Sequence, residues 1–534
     1  MNNTVIFWST LTPLLTVLGG GVLSTLLEAF LPRSVRRGFQ VVFSLLVLAA
    51  GLIAVVWRWT DAYTDKGIRA TPVSAVREGQ NITGIAFVED HLSLLGQGVI
   101  LVAALLAFLI IADRTEVGDG AFAASAAAPP GSGEERESVA AARSQSEIFP
   151  LALFATGGMM AFTSAFSLLS LFIALEVLSL PLYVLSATAR RRRLLSQEAA
   201  VKYFLLGAFS SAVFLMGAAL VYGSTGALGY NDILFRVQNN PAIAPMLVLG
   251  VSMVMIGLLF KVGAVPFHAW TPDVYQGAPT PISGFMAAGT KAAAFVALLR
   301  VAIYLGGPVH GQTSVFLRIV IVATVVLGTV IGLIQSDIKR LLAYSAIAHA
   351  GFILIAVASV NLSASPQTVV AALSSVIFYL LAYGISSVGA FGIVTLVREK
   401  DAEGNIGAEA TRLSAWAGLG RRSPLLAGAM AVFLLSFAGI PLTAGFIGKF
   451  EVFRAGVAAG NTVLTVIAVC ASAATAFFYF RLLQLMFLTE PDGHTAVVKS
   501  EGLSVIAITV AAALTVLLGV FPDPILEMIR GSFA

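Results

Sequence analysis

Apolar runs of about twenty residues recur along this chain from end to end, and that is the length of helix needed to cross a hydrocarbon core of roughly 30 Å. A water-soluble domain has no place for so many of them: 58% of the 534 residues are hydrophobic and only 11% are charged, far from the balance of a globular protein. In lipid each backbone N–H and C=O must be satisfied within the protein, and a helix does this segment by segment. The runs read as fourteen helices, starting near residues 5, 38, 92, 148, 169, 199, 244, 280, 315, 341, 367, 424, 460 and 502. The expected fold is therefore all-α integral membrane with fourteen transmembrane helices.

The placement of basic residues orients them, since loops on the cytoplasmic side of a membrane carry an excess of Lys and Arg. Taking the first loop, with Arg33, Arg36 and Arg37, as cytoplasmic puts Arg190 to Arg193, Lys339 with Arg340, and Arg398 to Arg422 on the same side. Both termini then lie outside, and Trp8, Trp57 and Trp59 fall at the outer interface, where indoles prefer to sit. The start, MNNTVIFW, has no basic region before its apolar run, so the first span is expected to be retained. The net charge of +4 is accounted for by this orientation and does not call for nucleic acid. Residues 60 to 90 form a mixed-charge outer loop, and residues 113 to 147, rich in Ala, Gly, Pro and Ser, read as a flexible cytoplasmic linker.

Cys470 is the single cysteine, which excludes disulfides within the chain and zinc or iron–sulfur sites made by it alone. No glycine-rich phosphate fingerprint or P-loop is found. Chemistry must be sought instead in five ionisable residues inside spans: Glu176, Lys202, Lys261, Lys291 and Lys449. Each would cost roughly 2.5 kcal/mol or more at mid-bilayer if it faced lipid, so they should face protein or water. Lys202 lies about one turn from the cytoplasmic end, within snorkelling reach of the headgroups. An ion pair with Glu176 accounts for one lysine but cannot neutralise three. Burial weakens the hold of a lysine on its proton and a nearby carboxylate strengthens it, so a Glu–Lys pair whose separation changes can load and release a proton. Glu176 with Lys261 is the expected pair.

His268, seven residues after Lys261, and His349 lie within or beside spans and can link lysines, as imidazole titrates nearest neutrality; a hydrogen-bonded structural role is the competing reading for both. His91, His310 and His494 lie near loops or span ends, Arg481 is placed to snorkel, and Tyr379 and Tyr383 read first as packing residues.

Two of the lysines sit beside helix breakers, Lys261 in KVGAVPFHAWTPDVYQGAPTPISG and Lys449 in GIPLTAGFIGKF. Breaks at membrane depth are tolerated where they are buried or line a wet cavity. They fall in the seventh and twelfth spans, and a repeat of five helices reverses its orientation each time, so helices 4 to 8 and 9 to 13 would form an inverted pair. The domains expected are 1–147, with helices 1 to 3; 148–304, the first five-helix repeat; 315–486, the second; and 502–534, the last helix.

Three segments, PFHAWTPDVYQGAPTPISGFMAAGTKAA, SDIKRLLAYSAIAHAGF and GIPLTAGFIGKFEVF, closely resemble the antiporter-like subunit N family of proton-translocating NADH:quinone oxidoreductase, respiratory complex I. The resemblance covers nearly the whole chain. It implies helices 7 and 12 broken, Glu176 with Lys261 as the charged pair, Lys202 beside them, Lys291 as the central relay, Lys449 nearer the outer exit, and His268 and His349 near the polar axis. It implies no cofactor on this chain, with NADH, FMN, iron–sulfur clusters and quinone on partner subunits. The implied partners are sister antiporter-like subunits, small membrane subunits and lipid, in a bacterial inner membrane. The long 113–147 segment departs from the family. An Mrp-type sodium/proton antiporter subunit is the alternative, and a stand-alone solute permease the second.

Overall fold

The structure, a computed structural model, describes residues 3–64, 71–72, 74–78, 81–83, 85–115, 120–123, 132–134, 137, 145–239, 244–360, 365–400, 403–491 and 493–533. Most of the linker expected at 113–147 lies outside the described residues. Among those described, twelve helices are long and apolar enough to cross a membrane, and two shorter apolar helices, Ile148–Ser164 and Pro424–Ala438, accompany them. Helices expected near 38, 199 and 315 begin earlier, at Arg33, Arg193 and His310. Polar first turns remain helical because long basic side chains can reach the headgroups while the backbone stays in the helix.

The helices differ in how much lipid they meet. Thr280–Gly306 is enclosed on all sides and Ile338–Ala358 nearly so, whereas two-thirds of the apolar window of Arg193–Thr225 is not buried. The enclosed helices carry Lys291 and His349. The lipid-facing helix packs on Ala244–Val262 through facing glycines, where a Cβ on Gly217 would stand 2.7 Å from the Gly250 carbonyl oxygen. Such small residues let helix backbones meet closely where no hydrophobic force drives them together.

The helix Ala244–Val262 stops at Gly263, and a second helix, Trp270–Gly277, follows before Thr280 opens the enclosed one. Likewise Pro424–Ala438 stops at Gly439 and resumes as Ala444–Ala458. Both stops have one construction. Gly263 and Gly439 each take φ of +80°, the left-handed conformation that glycine adopts without a Cβ clash. The Gly263 N–H bonds Phe260 O and the Ala264 N–H bonds Leu259 O; the Gly439 N–H bonds Ser436 O and the Ile440 N–H bonds Leu435 O. This Schellman pattern satisfies two of the helix's open carbonyls and leaves the last two without backbone partners.

Two details differ from an all-α expectation. Short antiparallel strands join chain ends and loops: Asn3–Ile6 pairs Ser74–Glu78, which pairs Asn81–Thr83, and Val397–Lys400 pairs both Ile406–Glu409 and Thr495–Val497. Backbone leaving a helix still needs hydrogen-bond partners, and a ribbon supplies them. The last helix also ends early, at Val520, and a short amphipathic helix Asp523–Gly531 follows Pro522. Arg530 on it reaches Glu451 at 2.8 Å, and Trp59 Nε1 donates to Ser532 Oγ at 3.0 Å.

Candidate functional site

Three of the four carbonyls left open by the two helix stops are taken by lysines. Lys291 Nζ, on the enclosed helix, donates to Val262 O at 3.0 Å and to Ala346 O at 2.6 Å. Lys449 Nζ donates to Phe437 O at 2.8 Å, Ala438 O at 3.0 Å and Ser472 Oγ at 2.7 Å, and stands 5.2 Å from the centre of the Phe352 ring. Both side chains are buried, and no carboxylate pairs with either among the described residues. The negative end of a helix dipole, concentrated on those carbonyls, is the counter-charge each ammonium meets. Lys291 is preceded by a π-helical turn, Met286–Thr290, a feature often found at functional positions.

Lys261, two residues before Gly263 at the first stop, lies among aromatic rings. Its Nζ is 3.5 Å from Tyr203 Oη, to which it donates, and 5.0 and 5.4 Å from the ring centres of Tyr203 and Tyr183. Trp270 stacks on Tyr203 and donates its indole N–H to Phe260 O at 2.8 Å, tying the second half-helix to the end of the first. Glu176 is half-buried and accepts a 2.5 Å hydrogen bond from Ser211 Oγ. It is close enough to act electrostatically on Lys261, yet among the described residues it makes no ion pair with it. The pair read from the sequence is thus held apart here.

Lys202 and His268 stand outside this row. Lys202 is 43% exposed and pairs with Glu198 at 2.7 Å and Asp273 at 2.8 Å, and Asp273 also holds Arg340 at 2.7 Å. His268 lies half-buried in the first break, with its Nδ1 enclosed and without a hydrogen-bond partner among the described residues.

His349 is deeply placed and doubly bonded. Its Nδ1 is 2.6 Å from Tyr379 Oη and its Nε2 3.2 Å from Tyr479 Oη, which is 2.5 Å from Ser345 Oγ. Ala346, which holds Lys291, His349, and Phe352, which underlies Lys449, follow at intervals of three along Ile338–Ala358 and so share one face. That spacing sets the imidazole between the two lysines, within electrostatic reach of both. Tyr479, in the apolar run AFFYFRLL, gave no sequence signal; Tyr379 was read as packing, and only the fold supplies its partner.

Other buried charges also escaped the sequence reading. Arg300, 2% exposed, makes a two-pronged ion pair with Asp90 at 2.8 and 2.9 Å and donates to Thr163 O. Burial alone would raise the Asp90 carboxyl, but the adjacent Arg300 charge and hydrogen bonds hold it below the ordinary value. On the face bearing the basic loops, Lys339 is buried and donates to Ala278 O at 2.8 Å. Beside it Glu409 accepts from Thr280, and Arg398 and Lys339 keep its carboxyl below the usual range despite burial.

Residues 165–475 match the family model described as NADH:quinone oxidoreductase/Mrp antiporter, TM. Over 98% of this chain and 97% of the relative, the sequence is 51% identical to a protein of Beutenbergia cavernae named NADH-quinone oxidoreductase subunit N. A chain in the structure of respiratory complex I from Thermus thermophilus superposes with a TM-score of 0.73 at 32% identity, over 96% of this chain and 98% of that one. A chain of the Mrp complex from a Dietzia species superposes with a TM-score of 0.77 over 99% and 97% of the two, but at 20% identity, which is a likeness of fold.

Proposed function

The chain belongs to the subunit N family of NADH-quinone oxidoreductase, and from that premise we propose that it moves protons across the membrane along Lys261, Lys291, His349 and Lys449 while the redox chemistry proceeds on partner subunits. It acts as a subunit of that translocase. In this reading NADH, FMN, iron–sulfur clusters and quinone are held by the partners, and sister antiporter-like and small membrane subunits flank the chain in a bacterial inner membrane. Both termini lie on the outer side.

One observation carries the reading: Lys291 and Lys449 rest on carbonyls at the ends of broken helices. An ammonium held by helix carbonyls, with no carboxylate fixing its charge, is free to gain and lose a proton. A purely structural buried cation would be expected to sit on an anion, as Arg300 does on Asp90. Glu176 modulates Lys261, Lys202 supplies protons from the cytoplasmic rim, and His268 lines the first break. We read the twelve long helices and two short ones as fourteen spans, in which helices 4 to 8 and 9 to 13 form two inverted five-helix repeats. The matching Schellman stops in helices 7 and 12 support that reading. A permease would need polar groups converging on a substrate-sized cavity, whereas here Lys291, His349 and Lys449 are placed in turn along one face of Ile338–Ala358. The Mrp antiporter reading has weaker support, at 20% identity.

The test uses the assembled complex in proteoliposomes, with Lys291→Met and Lys449→Met. Pumping should be lost at unchanged assembly in both. Full-rate pumping by either variant refutes its place in the relay.

A further inference from the structure

We propose that Tyr479 and Tyr379, with the His349 imidazole between them, form a hydroxyl–imidazole–hydroxyl bridge that passes protons between Lys291 and Lys449. The proposal rests on the lysine-relay reading above and adds to it the groups that lie between Lys291 and Lys449.

The geometry places the bridge at both lysines. At one end Ser345, which is hydrogen-bonded to Tyr479, directly precedes Ala346, whose carbonyl holds Lys291. At the other, the Tyr379 ring lies against the helix of Lys449 where Gly448 has no side chain: a Cβ there would be 3.2 Å from a carbon of that ring. Three helices contribute, Ile338–Ala358, Pro366–Leu396 and Thr462–Leu488. None of the four polar side chains is more than 3% exposed. Tyr383 and Phe437 pack on the imidazole at 5.0 and 5.7 Å between ring centres, so aromatic rings wall the bridge against water from the side.

The chemistry follows from what each group can donate. A neutral imidazole has one N–H and one bare nitrogen, while a phenol can donate and accept at once. The chain therefore has two polarities. In one, Ser345 donates to Tyr479, Tyr479 to Nε2, and Nδ1–H to Tyr379. In the other, Tyr379 donates to Nδ1, Nε2–H to Tyr479, and Tyr479 to Ser345. A proton delivered at the Ser345 end and released at the Tyr379 end breaks and forms only O–H and N–H bonds, passes through an imidazolium, and converts the first polarity to the second. Rotation of the hydroxyls and a flip of the imidazole ring, which exchanges the places of its two nitrogens, reset it. A swing of each lysine, or one bridging water, closes the end links. The two links to the ring are unequal, 2.6 Å to Tyr379 and 3.2 Å to Tyr479. The Tyr479 hydroxyl is drawn toward Ser345, and its longer link is the point at which the bridge opens.

Tyr479→Phe and Tyr379→Phe, each in the assembled complex in proteoliposomes, test this, since Phe keeps the ring packing and removes the hydroxyl. Proton pumping is measured with the electron-transfer rate and the solvent deuterium isotope effect, and 3,5-difluorotyrosine is placed at position 479 as a hydroxyl-bearing rescue. Each Phe variant should lower pumping about tenfold, less than the hundredfold or more that losing a proton-transferring side chain can cost because water can fill part of the gap. Difluorotyrosine should restore pumping with an altered isotope effect. Full-rate pumping in Tyr479→Phe overturns the bridge, and so does difluorotyrosine behaving as Phe does. If either Tyr variant fails to assemble, the other end of the bridge supplies the result. With Lys291→Met and Lys449→Met silent, a normal Tyr479→Phe removes the bridge alone; if both lysine variants pump normally, the relay itself falls.

Discussion

Asp90→Asn isolates the value of the buried pair between Asp90 and Arg300. Asp90 is also the N-cap of His91–Ala112, accepting from the Ser93 N–H at 2.8 Å in a capping box, and Asn caps a helix about as well as Asp. The cap should survive and the ion pair alone should go. The side chains of Arg300 and Asp90 are 2% and 12% exposed, so the substitution strands a guanidinium where water barely reaches it, a loss of about 3–5 kcal/mol. The retained amide oxygen can still accept one of the two bonds, which argues for the lower end, about 3 kcal/mol. Adding Arg300→Met removes the stranded charge, leaving mainly the Thr163 carbonyl without its donor, a residual cost of about 1–3 kcal/mol. Denaturant unfolding of the purified chain in detergent micelles reads Asp90→Asn, Arg300→Met and the double variant. The pH limb adds a sign. Because the folded carboxyl is held below its ordinary value, its contribution is fully present above about pH 4 and is lost as pH falls through the depressed folded value; the Asn variant should lack that limb. A single variant within about 0.5 kcal/mol of the parent would refute the reasoning, that being the usual range of a surface change, as would a double variant that loses the sum of the two singles.

Gly448→Ala should cost about 1–3 kcal/mol by overpacking and should slow pumping, because the new Cβ stands 3.2 Å from the Tyr379 ring and 3.3 Å from its Cα; unchanged stability and pumping would contradict that contact. Lys202→Gln should change stability by about 1 kcal/mol or less, as its partly exposed pairs are screened, and should reduce pumping less than Lys291→Met does in the same liposomes. Glu176→Gln keeps an oxygen for Ser211 but removes the charge facing Lys261, so pumping should fall; full-rate pumping would separate Glu176 from the relay.

The helices were legible because lipid leaves a long apolar run no other form, and the breaks because Gly and Pro stand beside Lys261 and Lys449. What those breaks expose was not legible. Val262 meets Lys291 across 29 positions and Ser472 meets Lys449 across 23, and such pairings are set by helix packing rather than by local pattern. Charge sign reports orientation, not burial, which is why Lys339 and Arg398 read as loop cations although they are 3% and 5% exposed. Glu176 and Lys261 read as an ion pair from their chemistry alone; the fold instead gives the glutamate to Ser211 and the lysine to aromatic rings.

Lys449 donates to three acceptors, Phe437 O, Ala438 O and Ser472 Oγ, and an ammonium has three N–H bonds to give. The neutral amine has two. Losing a proton at this nitrogen therefore leaves one acceptor without a donor, either a carbonyl at the end of Pro424–Ala438 or the Ser472 hydroxyl. Occupancy and tether number are one integer variable at Lys449. In the proposed relay every turnover loosens that joint by one bond and tightens it again, so the broken helix would keep count of the protons that pass.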